Sequence, residues 1–295
     1  MLLIIGSNGQ LGWELVRQCR ETGLDCHALD YPDIDLRDHG AIEPCLAPLS
    51  FDAVVNAAAY TAVDRAESEP DLAMAVNRDG PMSLAHICRK RRIPLVHVST
   101  DYVFDGSKTG AYSEEDPIAP LGVYGRSKAD GESKVRENLA EHLILRTAWL
   151  YGVHGQNFVK TMLKLGRERN TLRVVEDQRG CPTFAADLAS AILSVYPVMC
   201  ERRIVEWGTY HYCGGGAASW HEFAETIFAI ARNHEALKVK EVTSIPSSEY
   251  PTPTKRPANS VLDCSKIENR LGILQRPWRD SLKEMLDRLY NEAHN

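Results

Sequence analysis

No stretch of the 295-residue chain strings together the roughly 18 apolar residues of a membrane span. The start of the chain is equally unlike a secretory leader, because the apolar run MLLII meets glycine at position 6. The eight cysteines (Cys19, Cys26, Cys45, Cys88, Cys181, Cys200, Cys213, Cys264) are scattered and form no C-x-x-C pair. That removes zinc-site spacing, and a chain of this size does not need disulfides. Reduced, mostly buried thiols in a cytoplasmic protein are the expectation. Basic charge is also short: 34 Lys and Arg stand against 40 Asp and Glu, a net charge of −6. Such a balance argues against a nucleic-acid binder and against an anionic membrane surface. It leaves open a small phosphorylated ligand, which needs only local donors. Repeats and low-complexity tracts are missing too. What remains is an ordinary globular composition, 44% hydrophobic and 25% charged, long enough for one large or two modest domains with ample core.

The first 23 residues, MLLIIGSNGQLGWELVRQCRETG, read as strand, glycine turn and helix. Met1 to Ile5 is continuously apolar, as in a parallel strand covered on both faces. Gly6, Gly9 and Gly12 follow as G-x-x-G-x-x-G. The turn must be tight, a pyrophosphate must approach the backbone, and the helix must lie close to the strand; each condition selects glycine. The helix start then offers free N–H groups to phosphate. LDCHALD is a second strand whose last residue, Asp30, sits where an acid would accept hydrogen bonds from a ribose hydroxyl. A plain turn aspartate before Tyr31-Pro32 is the alternative. A carboxylate there opposes a 2′-phosphate and leans the cofactor towards NADH over NADPH. Asp35 and Leu36 fall on the adenine side, and AVVNAAA is a third strand whose small residues let a cofactor lie against backbone. A helix from about Asp71 to Arg91 and the strand IPLVHVST follow.

Beyond that strand come STDYVFDG, a Pro- and acid-rich loop, and YGRSK. Tyr124 and Lys128 are four apart in a helical segment, GRSKADGESKVREN, so both side chains share one face. A phenol becomes a usable proton donor once a nearby positive charge favours its phenolate. Thr100 would add a hydroxyl at the carboxyl edge of the sheet. Alone, Y-x-x-x-K is equally an exposed helix pair. HLILRTAWLYG is a further strand, carrying Arg146, Thr147 and Trp149 towards the ligand face of an open α/β sheet; a core position for Trp149 is the other reading.

After about position 150 the pattern changes. Helices are expected over NFVKTMLKLGRER, AADLASAILSVYP, SWHEFAETIFAIARNH (capped by Ser219) and PWRDSLKEMLDRLY, and strands at TLRVV and WGTYHYC. The segment KEVTSIPSSEYPTPTKRPANSVLDCSKI reads as a ligand-facing loop. The expected architecture is α/β, a Rossmann-type doubly wound parallel sheet with a smaller α/β C-terminal domain. Residues 1–149 would bind NAD(P), rejoined by about 184–212, and 150–295 would bind substrate.

With the glycine fingerprint, NAAA, STDYVF and Y-x-x-x-K in this order, the chain resembles the extended short-chain dehydrogenase/reductases. NAAAYTAVDRAESEP, RTAWLYG, VVEDQRGCPT and YPTPTKRPANSVLD narrow the likeness to reductases of 4-keto nucleotide sugars in rhamnose formation, over nearly the whole chain. That resemblance implies reduction of a dTDP-linked 4-keto sugar by NADH or NADPH. Tyr124 would protonate the C4 oxygen as hydride reaches C4, Lys128 would bind the nicotinamide ribose and lower the pKa of Tyr124, and Thr100 would bond the carbonyl oxygen. Gly9, Gln10 and Leu11 match the pyrophosphate loop, Asp30, Asp35 and Leu36 the adenosine side, Ala59, Tyr60 and Thr61 the NAAA segment, and Val98 the strand before Thr100. Thr100, Asp101 and Trp149 match substrate positions, and Arg256 is assigned to a phosphate or base. Some members bind Mg²⁺ through carboxylates near a dimer contact; Glu14 matches one such position without a clear second acid, so Mg²⁺ and a homodimer stay open and no metal ligand is assigned. Two other functions share the scaffold: a nucleotide-sugar epimerase or dehydratase that retains NAD⁺, and a non-catalytic regulatory subunit of an S-adenosylmethionine-forming enzyme. The intact Thr100/Tyr124/Lys128 set argues against the second.

Overall fold

A computed structural model of the chain describes residues 1–200 and 206–292. Of the expected 184–212 segment, 201–205 lie outside the described residues, as do 293–295 at the end of the C-terminal region. The first half alternates strand and helix: β1 (Leu2–Ile5), α1 (Gln10–Thr22), β2 (Cys26–Leu29), α2 (His39–Leu46), β3 (Ala53–Asn56), α3 (Val63–Ala66), α4 (Pro70–Met74), α5 (Gly80–Arg91), β4 (Leu95–Thr100), α6 (Val123–Asn138) and β5 (His142–Thr147). The second half runs β6 (Leu150–Tyr151), α7 (Phe158–Glu168), β7 (Thr171–Val175), β8 (Arg179–Gly180), β9 (Thr183–Phe184), α8 (Ala185–Cys200), β10 (Gly208–His211), β11 (Ala218–Ser219), α9 (Trp220–Ala231), β12 (Glu241–Ile245), α10 (Ser265–Leu271) and α11 (Trp278–Glu292).

The main sheet has six strands in the order β10-β5-β4-β3-β1-β2, and every neighbouring pair is parallel. Parallel pairing buries both faces, so apolar side chains alternate between two helix layers. Leu2, Ile4, Val55, Val96 and Leu145 pack with Leu15 of α1 and Ile192 of α8. Leu3, Ile5, Val54, Leu95 and Ile144 pack with Ile42 of α2, Leu84 of α5 and Val135 of α6. Each such side chain contributes about 1.5–3 kcal/mol when removed from water. From β1 the chain winds one way to β2 and then the other way to β3, which opens a crevice beyond the carboxyl ends of β1 and β3. A second core, built on Phe184, Phe223, Phe228, Trp278, Leu282 and Met285, holds α7, α9 and α11 together.

Several expectations need correction. The long segment after Lys240 is not simply a loop: Glu241–Ile245 pairs parallel with β7, and α10 follows. Only Ile245 of that strand is buried, so its stability comes from the ladder rather than from an apolar period. α2 was not foreseen, because Gly40 and Pro44 interrupt its pattern while Asp38 supplies its cap, accepting from the Ala41 N–H. The expected 142–152 strand breaks into β5 and β6 because Trp149 turns the backbone to φ +47°. The helix over 71–91 is continuous but passes through a π-helical turn at Ala75–Asp79. All eight cysteines are free thiols. Among the described residues no helix is long and apolar enough to cross a membrane.

Candidate active site

A cavity of about 980 Å³ occupies the crevice. Its floor at one end is the β1–α1 turn. Gly6 sits at φ +87°, and a Cβ there would fall 2.5 Å from the Ala58 nitrogen. A Cβ on Gly12 would lie 2.0 Å from the Gly6 carbonyl oxygen, so Gly12 serves the helix–strand contact and does not line the cavity. Gly6, Gly9, Gln10 and Leu11 do line it, at the start of α1, where unpaired N–H groups favour an anion. This cradle fits a dinucleotide pyrophosphate. A loop from the second half closes over it: the His154 ring donates to the Asn8 carbonyl (2.9 Å) and Asn157 to the Gln10 side chain (3.0 Å). Gly155 and Gln156 of that loop line the cavity, and no sequence signal marked them.

Asp30, Asp35 and Leu36, expected on the adenosine side, line the cavity at its outer end. Asp30 accepts from the Asn8 N–H (2.6 Å) and the Tyr31 N–H (2.7 Å). The turn-aspartate reading therefore holds beside the cavity-edge position. Asp35 is bound by both arms of Arg37 (2.8 and 2.6 Å), which hold its carboxyl below the usual range. Ala59, Tyr60 and Thr61 form one wall and Val98 another. Asn77, inside the π-helical turn, accepts from the Tyr60 N–H (2.8 Å), donates to the Tyr60 carbonyl (3.0 Å) and donates to Ser127 of α6 (3.0 Å). It is the residue that pins this wall, and the polar VNRDG run inside a helix was the available signal; π-turns recur at functional sites.

At the inner end the cavity reaches Thr100, Asp101, Tyr124, Lys128 and Trp149. The Thr100 hydroxyl donates to Asp101 (2.9 Å) and accepts from the Tyr102 N–H (3.2 Å). Tyr102 meets Tyr124 edge-on at 5.5 Å. Lys128 donates to the Val98 carbonyl (2.6 Å). Burial raises the Tyr124 pKa, with Thr100 opposing. Burial lowers Lys128 to about 8, with Glu132 opposing. It also pushes Asp101 up to about 6. The expected lowering of Tyr124 by Lys128 is thus not what the chain alone produces, because the phenol's loss of water dominates. The Trp149 indole stacks flat on Trp220 at 3.5 Å, and Gly180 lies so close beneath it that a Cβ would fall 2.4 Å from the ring. Trp220 was not foreseen as a site residue. Arg256 is the one substrate candidate that does not reach the cavity wall: it pairs with Asp64 (2.7 Å) and donates to the Tyr102 hydroxyl (3.3 Å).

Glu14 is fully buried and its carboxylate is taken by Arg17 (2.8 Å) and Arg288 (2.8 Å). Two guanidinium groups on one carboxylate do not fit a metal ligand. Among the described residues no group of three or more His, Cys, Asp or Glu side chains is placed to hold a metal.

Residues 1–291 match the family described as RmlD substrate binding domain. A dTDP-4-dehydrorhamnose reductase of Sinorhizobium fredii is 42% identical over 286 residues, 97% of this chain and 96% of its own length. The crystal structure of a protein of that name from Clostridium acetobutylicum superposes with a TM-score of 0.91 at 39% identity, covering 98% of this chain and 99% of its own. Another from Bacillus anthracis, in complex with NADP, gives 0.90 at 35% identity, covering 97% and 98%.

Proposed function

The chain belongs to the RmlD substrate binding domain family, and from that premise we infer that it reduces the C4 keto group of dTDP-4-dehydro-L-rhamnose to give dTDP-L-rhamnose. It is an NAD(P)H-dependent oxidoreductase. The observation that carries the reading is the convergence of Thr100, Tyr124 and Lys128 on the cavity that also contains the glycine turn. When bound, the reduced nicotinamide supplies hydride to C4. Tyr124 gives its phenolic proton to the C4 oxygen, and Thr100 orients that oxygen by a hydrogen bond. Lys128, when protonated, favours the phenolate that remains and binds the nicotinamide ribose. Gly6, Gly9, Gln10 and Leu11 hold the pyrophosphate, Gly12 sets the turn, and Asp30, Asp35, Leu36, Ala59, Tyr60, Thr61 and Val98 shape the adenosine and ribose walls. Asp101 and Trp149 face the sugar nucleotide. Arg256 acts through Tyr102, whose ring it holds against Tyr124. In this reading residues 1–149 carry the cofactor half and 150–295 the substrate half, and the enzyme works in the cytoplasm. Asp30 inclines it towards NADH.

Mixing the chain with NADH and dTDP-4-dehydro-L-rhamnose tests the reading. Absorbance at 340 nm falls in step with sugar consumed. Sugar turnover with constant absorbance is the mark of an epimerase or dehydratase. Inactivity with a stoichiometric protein partner is the mark of a regulatory subunit. A panel of dTDP and UDP sugars, each with NADH and NADPH, fixes nucleotide and cofactor preference.

A further inference from the structure

Behind the cavity, between the sheet and α6, lies a buried polar layer that the reaction as described leaves unused. We propose that Glu132, clamped by Arg146, is a positioning residue for Lys128, the counter-charge that keeps its buried ammonium protonated and directed at the cofactor. The inference rests on the ketoreductase reading for the role of Lys128. Lys128 and Glu132 are one turn apart on the inward face of α6, 2% and 0% exposed. Arg146 reaches across from β5 with both arms, Nε to Oε1 at 2.9 Å and Nη2 to Oε2 at 2.7 Å. Arg136 adds a third contact at 3.2 Å.

The other groups facing this layer cannot replace the carboxylate. From β4 comes His97, from β5 His142 and from β10 His211; burial and the neighbouring cations hold all three neutral. The π-helical turn offers Asn77, which carries no charge. Glu114 also reaches the layer, accepting from the His211 N–H (2.8 Å), but Glu132 is the carboxylate bonded to Arg136 and Arg146 and one turn from Lys128. Two of these three cations are guanidinium groups, which do not give up a proton. Lys128 can. If the carboxylate is lost, the lysine is the member of the trio that discharges.

The experiment uses the full chain with Glu132→Gln, followed over pH 6 to 9.5. NADH affinity is measured by nucleotide fluorescence without sugar, and kcat is measured with the 4-keto sugar. The expected result is an alkaline midpoint about one unit below that of the native chain, so that kcat is nearly unchanged at pH 6 and falls about eightfold at pH 8.5. An unmoved midpoint, or a loss equal at every pH, overturns the proposal and leaves Glu132 a merely structural partner. Should that variant not fold, the double variant Glu132→Met, Arg146→Met swaps the pair for apolar side chains, a replacement buried pairs commonly tolerate. Its midpoint moves down as well, because the carboxylate one turn along α6 is lost with the pair; a native midpoint there overturns the proposal. A native chain that fails to turn over the sugar breaks the ketoreductase reading, whereas the sugar-free NADH profile tests Glu132 independently.

Discussion

At its inner end the cavity sets Thr100, Asp101, Tyr124 and Lys128 in an environment where each is under a tenth exposed, whereas at its outer end Tyr31 is 63% exposed and Asp35 and Arg37 form a pair in reach of solvent. The same kinds of group behave differently in the two places. Inside, loss of water sets the proton affinities, lifting Tyr124 and Asp101 and lowering Lys128. Outside, a hydrogen-bonded partner sets them, as Arg37 does for Asp35, and solvent screens the energetic consequence. Chemistry that depends on a shifted pKa belongs to the first region; in the proposed function the second takes the adenosine, where solvent-screened contacts suffice.

The sharpest way to break this contrast is at the β1–α1 turn that floors the cavity. Gly12→Ala pushes a methyl into the Gly6 carbonyl 2.0 Å away, and NADH binding by calorimetry should be abolished. Measurable binding near the native Kd would show that the turn tolerates what the geometry forbids. Next in size is Tyr124→Phe, which removes the proton donor and should lower kcat about a hundredfold or more. NADH still binds to that variant. Turnover close to native would remove Tyr124 from the acid role.

The third prediction concerns Lys128 and carries two signs. Activity needs its protonated form, so kcat should fall as pH rises through about 8. Because its folded pKa lies below the unfolded value, the folded chain binds fewer protons between the two, and stability from this group grows as pH rises across that window. Lys128→Met should therefore raise Tm at pH 7, on the order of 5 °C, while activity is lost. A lowered Tm at pH 7 would mean that the ammonium is better satisfied than its burial indicates. A smaller effect is expected at Trp149→Ala, where loss of the stacked face raises KM for the sugar about tenfold with NADH affinity kept. The smallest belongs to the outer end: Arg37→Ala should leave the denaturant midpoint of unfolding essentially unmoved. A large loss in denaturant titration would contradict the screening argument.

Much of this arrangement was legible beforehand. β1, the glycine turn and α1 were readable because a continuous apolar run followed by three spaced glycines has few other uses. Tyr124 and Lys128 were readable because helical spacing alone puts them on one face. Other features were not. Trp149 looked like a strand residue until its positive φ and its stacking on Trp220, 71 positions later, appeared. Arg256 has the charge of a phosphate partner, yet Asp64 and Tyr102 claim it first. Asn77 gave only the faint sign of polar residues inside a helix.

The amino-acid order by itself determined the alternation of strands and helices, the cofactor turn and the spacing of the acid–lysine pair, since these rest on local period and on backbone conformations that only certain residues allow. The tertiary structure alone decided which charges are dry. Whether Lys128 holds its proton at about 8, whether Glu14 faces arginines, and whether Glu132 stands behind the site all depend on side chains from distant segments excluding water together, and that exclusion has no signature in any one stretch of chain.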